Sequence, residues 1–215
     1  MEKYSKSRFK MIENKFNNTI LNSNSSTHDK ISETKKLFGL WIYLMSDCIM
    51  FAVLFAVYAI VSSNISINLI SNKIFNLSSI LLETFLLLLS SLSCGFVVIA
   101  MNQKRIKMIY SFLTITFIFG LIFLLMEVHE FYELIIENFG PDKNAFFSIF
   151  FTLVATHGVH IFFGLILILS ILYQIKKLGL TNSIRTRILC FSVFWHFLDI
   201  IWICVFTFVY LNGAI

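Results

Sequence analysis

The stretch "AFFSIFFTLVATHGVHIFFGLILILSILY", residues 145–173, contains no aspartate, glutamate, lysine or arginine. A helix needs about 20 predominantly apolar residues to cross the hydrocarbon core of a bilayer. This stretch is therefore long enough to span a membrane. Its most polar side chains, His157 and His160, lie three residues apart and so share one face of a helix. The stretch predicts a transmembrane helix that carries two histidines in its interior.

Four further apolar blocks of similar character accompany it. We predict five transmembrane spans, at residues 38–61, 74–101, 108–126, 145–173 and 188–211. The chain is 58% hydrophobic and only 13% charged, whereas soluble domains are about half apolar and a quarter charged. The sequence thus predicts an all-α integral membrane protein. A basic polar tail, residues 1–36, precedes a bundle of five transmembrane helices, residues 37–215.

Basic residues are distributed unequally between the two predicted sides of the membrane. All lysines and arginines except Lys73 and Lys143 fall in the tail or in the two loops on the same side as the tail. The positive-inside rule then predicts a cytoplasmic N-terminus and a periplasmic C-terminus. The basic tail is expected to lie against anionic headgroups, so the positive net charge does not imply nucleic-acid binding.

Ionisable side chains within the spans are few. Each costs about 2–4 kcal/mol to insert and therefore usually faces a partner or the bundle interior. At about 1.5 Å per residue, most of them fall near mid-membrane and are expected to form a polar belt: Asp47, Glu83, His157, His160, His196 and Asp199. By contrast, we interpret most of the acids of "EVHEFYELIIENFGPD", residues 127–142, as the solvated end of the third helix, in preference to proton-collecting acids, which would show the same pattern. Glu130 belongs to that segment.

The segment "FWHFLDIIW", residues 194–202, concentrates polar and aromatic groups in the fifth span. His196 and Asp199 are three residues apart, which allows a local hydrogen bond or ion pair. Trp195 and Trp202 share a neighbouring face. A carboxylate that orients a histidine is typical of metal sites, but it equally satisfies two buried polar groups without a metal. We favour the second interpretation.

Besides polar contacts between helices, two functional hypotheses fit these residues. Axial histidines on facing helices, His157 or His160 with His196, would suit a haem b anchor that exchanges electrons with quinone. A proton or solute carrier would use Asp47, Glu83 and the histidines, although the chain lacks the internal repeat typical of secondary transporters. The paired Glu-x-x-His motifs of di-iron bundles and clustered copper ligands are absent. Polar contacts between helices remain the favoured role of the histidines.

Several motifs, in order along the chain, resemble one family. "FFTLVATHGVHIFFG", residues 150–164, is similar to the His-Gly-x-His helix of subunit III of haem–copper terminal oxidases. "FWHFLDIIW" resembles that family's Trp-His-Phe-x-Asp-x-x-Trp helix, and "MEVHEF", residues 126–131, matches its third span. "YLMSDC", residues 43–48, and "LLETFLLLLSS", residues 81–91, look closest to the five-span subunits of cytochrome o-type ubiquinol oxidases. Many family members carry glutamate where this chain has Asp47.

The resemblance implies a non-redox accessory subunit that carries no catalytic centre. Haem and copper are expected on the partner subunit I, and the complex is expected to oxidise ubiquinol, reduce oxygen to water and pump protons. Expected partners are subunit I, the other oxidase subunits and bound phospholipid, in a bacterial inner membrane. The resemblance assigns no catalytic, cofactor or metal residue. It implies structural or lipid-cleft contacts for Asp47, Glu83, Glu130, His157, His160, Trp195, His196 and Asp199.

Overall fold

The computed structural model describes residues 34–62, 77–103, 105–136 and 145–211. These residues form five long helices: α1 Thr34–Ser62, α2 Leu77–Asn102, α3 Ile106–Ile136, α4 Ala145–Leu178 and α5 Asn182–Val205. A π-helical segment, Phe206–Leu211, continues α5. All five helices are long and apolar enough to cross a membrane, and the described ranges contain no strand. The prediction of an all-α protein with five spanning helices is confirmed.

The helices extend beyond several of the predicted spans. The third helix continues ten residues past the predicted end at Met126, to Ile136. The fourth continues to Leu178, where Gly179 adopts a left-handed conformation with φ 67° and donates its N–H to the Ile175 carbonyl at 3.1 Å. Glycine adopts this cap without the steric penalty of a Cβ atom. Hydropathy locates the apolar core of a span, whereas a cap determines where the helix ends.

Residues 63–76 and 137–144, which belong to the two predicted loops on the side away from the tail, and most of the predicted tail lie outside the described residues. This applies to Lys73 and Lys143 and to the end of the acidic segment, residues 137–142. The chain divides into two compact units, Met1–Tyr43 and Leu44–Ile215. Of the first unit, the structure describes Thr34–Tyr43, which form the opening turns of α1 and are largely exposed.

Helices α2 to α5 form a ring within the second unit. α2 packs against α3 and α5, and α4 packs against the same two helices. Residues 44–62 of α1 pack on α4 and on the π-helical segment, where Phe55 meets Phe208 at a ring-centroid distance of 6.0 Å. The Tyr58 hydroxyl donates to the Val209 carbonyl at 3.4 Å. This arrangement leaves α1 beside the ring rather than within it.

A tryptophan fills the centre of the ring. Trp195 of α5 is 1% exposed, and its ring lies against Gly120 of α3 and Gly164 of α4. A Cβ atom would lie 2.9 Å from the indole at Gly120 and 2.8 Å from it at Gly164. The indole N–H donates to Ser90 Oγ of α2 at 2.9 Å. One side chain thus connects the four helices of the ring, which requires a glycine on each of two of them.

Candidate functional site

The intramembrane ionisable groups make their direct contacts in separate sets rather than in one continuous belt. One set joins α1 to α4. His160 Nδ1 lies 2.7 Å from the Thr156 carbonyl oxygen, so this nitrogen donates, and His160 Nε2 lies 3.5 Å from Asp47 Oδ2. The Phe51 ring covers the imidazole at a centroid distance of 5.5 Å. The second nitrogen thus faces the Asp47 carboxyl, whose Oδ2 has no hydrogen-bond partner among the described residues.

His157 lies one turn earlier on α4 in an aromatic environment. Its side chain is 0% exposed. The imidazole stacks on Trp202 with a centroid distance of 5.2 Å and an interplanar angle of 30°, and Phe123 meets it edge-on at 6.1 Å. Neither ring nitrogen has a hydrogen-bond partner among the described residues. The structure thus uses His157 as a flat ring in packing, not as a polar link between helices.

An acidic set connects α2 and α3. Glu83 and Glu127 are each 2% exposed, and Glu130 is half-buried close enough to interact with both electrostatically. A Cβ atom on Gly158 would lie only 2.9 Å from Glu127 Oε1. The Glu127 carboxyl therefore occupies the space that a side chain at position 158 would need.

The interpretation of residues 127–142 as a solvated helix end is wrong for Glu127. It holds for the side chains of His129 and Glu133, which are 70% and 66% exposed and 3.7 Å apart. Glu127 lies on the opposite side of α3, and its burial against Gly158 follows from the packing of α3 on α4. The predicted end of the third span at Met126 placed this residue outside the membrane by a single position.

The last set joins α2 to α5. Ser91 Oγ lies 2.8 Å from His196 Nδ1, and the same serine interacts with the Asp199 carboxyl. The sequence predicted a hydrogen bond from His196 to Asp199 within α5. In the structure, His196 Nδ1 contacts Ser91 of α2 instead. Asp199 remains close enough to His196 to interact with it electrostatically. The contact depends on a side chain from another helix, which spacing along α5 does not reveal.

Similarity to known proteins identifies the family to which this chain belongs. The model of the family described as "Cytochrome c oxidase subunit III" matches residues 10–214. The chain belongs to the cytochrome c oxidase subunit III family. The resemblance drawn from the sequence motifs is thereby confirmed at the level of the family.

Relatives within this family are similar over nearly their whole length. "Cytochrome bo(3) ubiquinol oxidase subunit 3" of Buchnera aphidicola subsp. Schizaphis graminum is 72% identical over 84% of this chain and 95% of its own length. The Pseudomonas putida protein of the same name is 47% identical over 83% of this chain and 86% of its own. "Quinol oxidase subunit 3" of Bacillus spizizenii is 37% identical, with shares of 85% and 90%.

Several residues that organise the site in this family member were not singled out by the sequence. They are Ser90, Ser91, Thr84, Gly120, Gly158, Gly164 and Glu127. Thr84 Oγ1 accepts a hydrogen bond from the Trp202 indole at 3.2 Å, just as Ser90 Oγ accepts one from the Trp195 indole. For the serines and the threonine, the sequence did contain a signal, namely a run of hydroxyl residues in the middle of an apolar span. Small polar residues concentrate at interfaces between membrane helices. Among the described residues, no group of three or more His, Cys, Asp or Glu side chains is arranged to hold a metal ion.

Proposed function

We propose that the chain is the non-redox accessory subunit III of a proton-pumping ubiquinol oxidase in a bacterial inner membrane. The complex oxidises ubiquinol and reduces oxygen to water at haem and copper held by subunit I. The chain stabilises that catalytic subunit and binds phospholipid. Its N-terminus is cytoplasmic and its C-terminus periplasmic.

The observation that carries this proposal is 72% identity, over 84% of the chain, to a protein named as subunit 3 of a ubiquinol oxidase. Two relatives at lower identity are also named as quinol oxidase subunits. The family as a whole takes its name from cytochrome c oxidase. Similarity to quinol oxidase subunits in particular therefore supports ubiquinol as the electron donor.

The side-chain contacts support a structural role for the intramembrane histidines. His157 packs on Trp202, His160 faces Asp47, and His196 contacts Ser91. Each imidazole thus meets a different helix, whereas a bis-histidine haem requires two imidazoles that face one another across a shared space. The geometry consequently favours the accessory role over a haem anchor.

An outward groove supports the lipid part of the proposal. It lies between α3 and α4, has a volume of about 270 Å³, and is lined by Glu127 and by mostly apolar residues that include Val128, Phe131, Val159 and Phe162. Val128, Val159 and Phe162 are at least half exposed. A groove of this composition fits an acyl chain, because apolar surface is stabilised by an apolar neighbour.

Affinity purification in mild detergent tests the proposal. We expect the tagged chain to copurify with a larger haem-bearing subunit, whose visible spectrum reports haem, and to bring phospholipid with it. The chain expressed alone is the matched control and should show no haem absorption. A haem spectrum from the isolated chain, or its purification without any haem-bearing partner, would overturn the proposal.

A further inference from the structure

The acidic set of α2 and α3 contains buried oxygen atoms without a hydrogen-bond partner. Among the described residues, neither Oε1 nor Oε2 of Glu127 has such a partner, and the same holds for Oε2 of Glu83. Both side chains are 2% exposed. Buried polar groups in proteins are nearly always hydrogen-bonded. Hydrogen bonding between helices therefore does not account for these two acids.

The surroundings of Glu127 oppose an ionised carboxyl. Both of its oxygens lie against the α4 backbone at Gly158, where a Cβ atom would be 2.9 and 3.0 Å from them. The groove beside it is otherwise lined by apolar residues. The charged groups that act on Glu127 are Glu83 and Glu130, which carry the same sign. Burying a charge is costly unless an opposite charge and hydrogen bonds compensate it. A proton on Glu127 removes both this cost and the repulsion.

The titratable groups in the interior of α4 and α5 act elsewhere. His157 of α4 interacts electrostatically with His160 of the same helix. On α5, Asp199 interacts with Ser91 and His196. A proton is therefore the positive charge that the described part of the chain leaves for the acidic set.

The exposure of the glutamates increases stepwise along α3. Glu127 is 2% exposed, Glu130 is half-buried, and the Glu133 side chain is 66% exposed. Residues three apart are neighbours on a helix. Glu127 lies nine residues before the end of α3 at Ile136 and 21 after its start at Ile106, which is about 14 and 32 Å along the helix. Glu130 thus stands between the buried acids and the nearer end of the helix.

We propose that Glu83 and Glu127 form a proton-binding site that exchanges, through Glu130, with water at the Ile136 end of α3. Glu127 holds the proton, and Glu83 strengthens its binding because two adjacent buried carboxyls do not both ionise readily. In the exchange, the Glu127 carboxyl transfers its proton to the Glu130 carboxylate, and the Glu130 carboxyl then releases it to water. The reverse steps reload the site. This role goes beyond the proposed function, which assigns no proton to the chain itself.

Infrared spectroscopy of the full chain in liposomes tests the bound proton. Glutamate labelled with carbon-13 at its side-chain carboxyl separates the glutamate bands from other absorptions. An exposed glutamate is ionised at neutral pH, so we expect a protonated-carboxyl band that loses intensity in Glu127→Gln. Glu133→Gln, the same change at an exposed position of the same helix, is the matched control and should keep the full band. Helical circular dichroism shows whether each variant is folded. Absence of the band from the wild-type chain, or equal intensity in the two variants, would overturn the proposal.

Transfer of the same samples into heavy water tests the route. The protonated-carboxyl band shifts as deuterium replaces the proton, so the rate of the shift reports exchange. Glu130→Gln keeps the size of the side chain but removes its acid–base function. It should slow the shift about a hundredfold, the lower end of what a positioned acid–base group contributes to proton transfer. Glu133→Gln should exchange at the wild-type rate. Equal rates for Glu130→Gln and the wild type would contradict the route. Both measurements use the chain alone, so their outcome is independent of its assembly with other subunits.

Discussion

His157 and His160 lie one helical turn apart on α4, yet only one of them has a polar partner. Replacing His160 by phenylalanine removes the imidazole that bonds the Thr156 carbonyl and lies 3.5 Å from Asp47 Oδ2, and loss of a buried polar contact of this kind costs about 1–3 kcal/mol. His157→Phe keeps a flat ring against Trp202 and removes two nitrogens that have no hydrogen-bond partner among the described residues. Replacement by an apolar group of similar shape is nearly neutral.

We therefore expect His160→Phe to lower stability by about 1–3 kcal/mol and His157→Phe to change it by less than about 1 kcal/mol. Loss of helical circular dichroism on heating in mild detergent, measured for both variants and the wild type, checks which variant loses more stability. A larger loss for His157→Phe would contradict it and would indicate that the nitrogens of His157 bind a group of their own.

At the scale of helices, the indole of Trp195 determines how closely α3, α4 and α5 approach. A methyl group at Gly164 would lie 2.8 Å from the indole, closer than van der Waals contact permits. Gly164→Ala is expected to cost about 1–3 kcal/mol, the usual range for overpacking a core. Trp195→Phe should also destabilise, because the smaller ring leaves space and the hydrogen bond to Ser90 is lost.

The two changes should compensate each other in part, because the space freed by the smaller ring accommodates the new methyl group. We expect the double variant to be less destabilised than the sum of the single variants by about 0.5–3 kcal/mol in a double-mutant cycle. Gly39→Ala, whose added methyl group meets no atom within 4 Å, is the control and should be neutral. Additive effects of Gly164→Ala and Trp195→Phe would show that the ring does not determine the spacing.

For the molecule as a whole, charge predicts orientation in the membrane. With five spans, all lysines and arginines except Lys73 and Lys143 are predicted to fall on the side of the N-terminus, and basic loops tend to remain in the cytoplasm. A fluorescent protein fused to the N-terminus should therefore fluoresce, whereas alkaline phosphatase fused after Ile215 should be active in the periplasm. The reciprocal fusions provide the controls. Phosphatase activity from an N-terminal fusion would reverse the assignment.

The sequence by itself determined the five spans, the membrane class and the family, because hydropathy is a local property and because ordered motifs are read residue by residue. It also identified most of the ionisable groups in the spans. Only the tertiary structure decided which of them meet: Ser91 takes the place predicted for Asp199 beside His196, and Glu127 is buried against Gly158. The physical reason is that spacing specifies neighbours within one helix, whereas contacts between helices depend on how each helix is rotated and how closely its small residues let another approach.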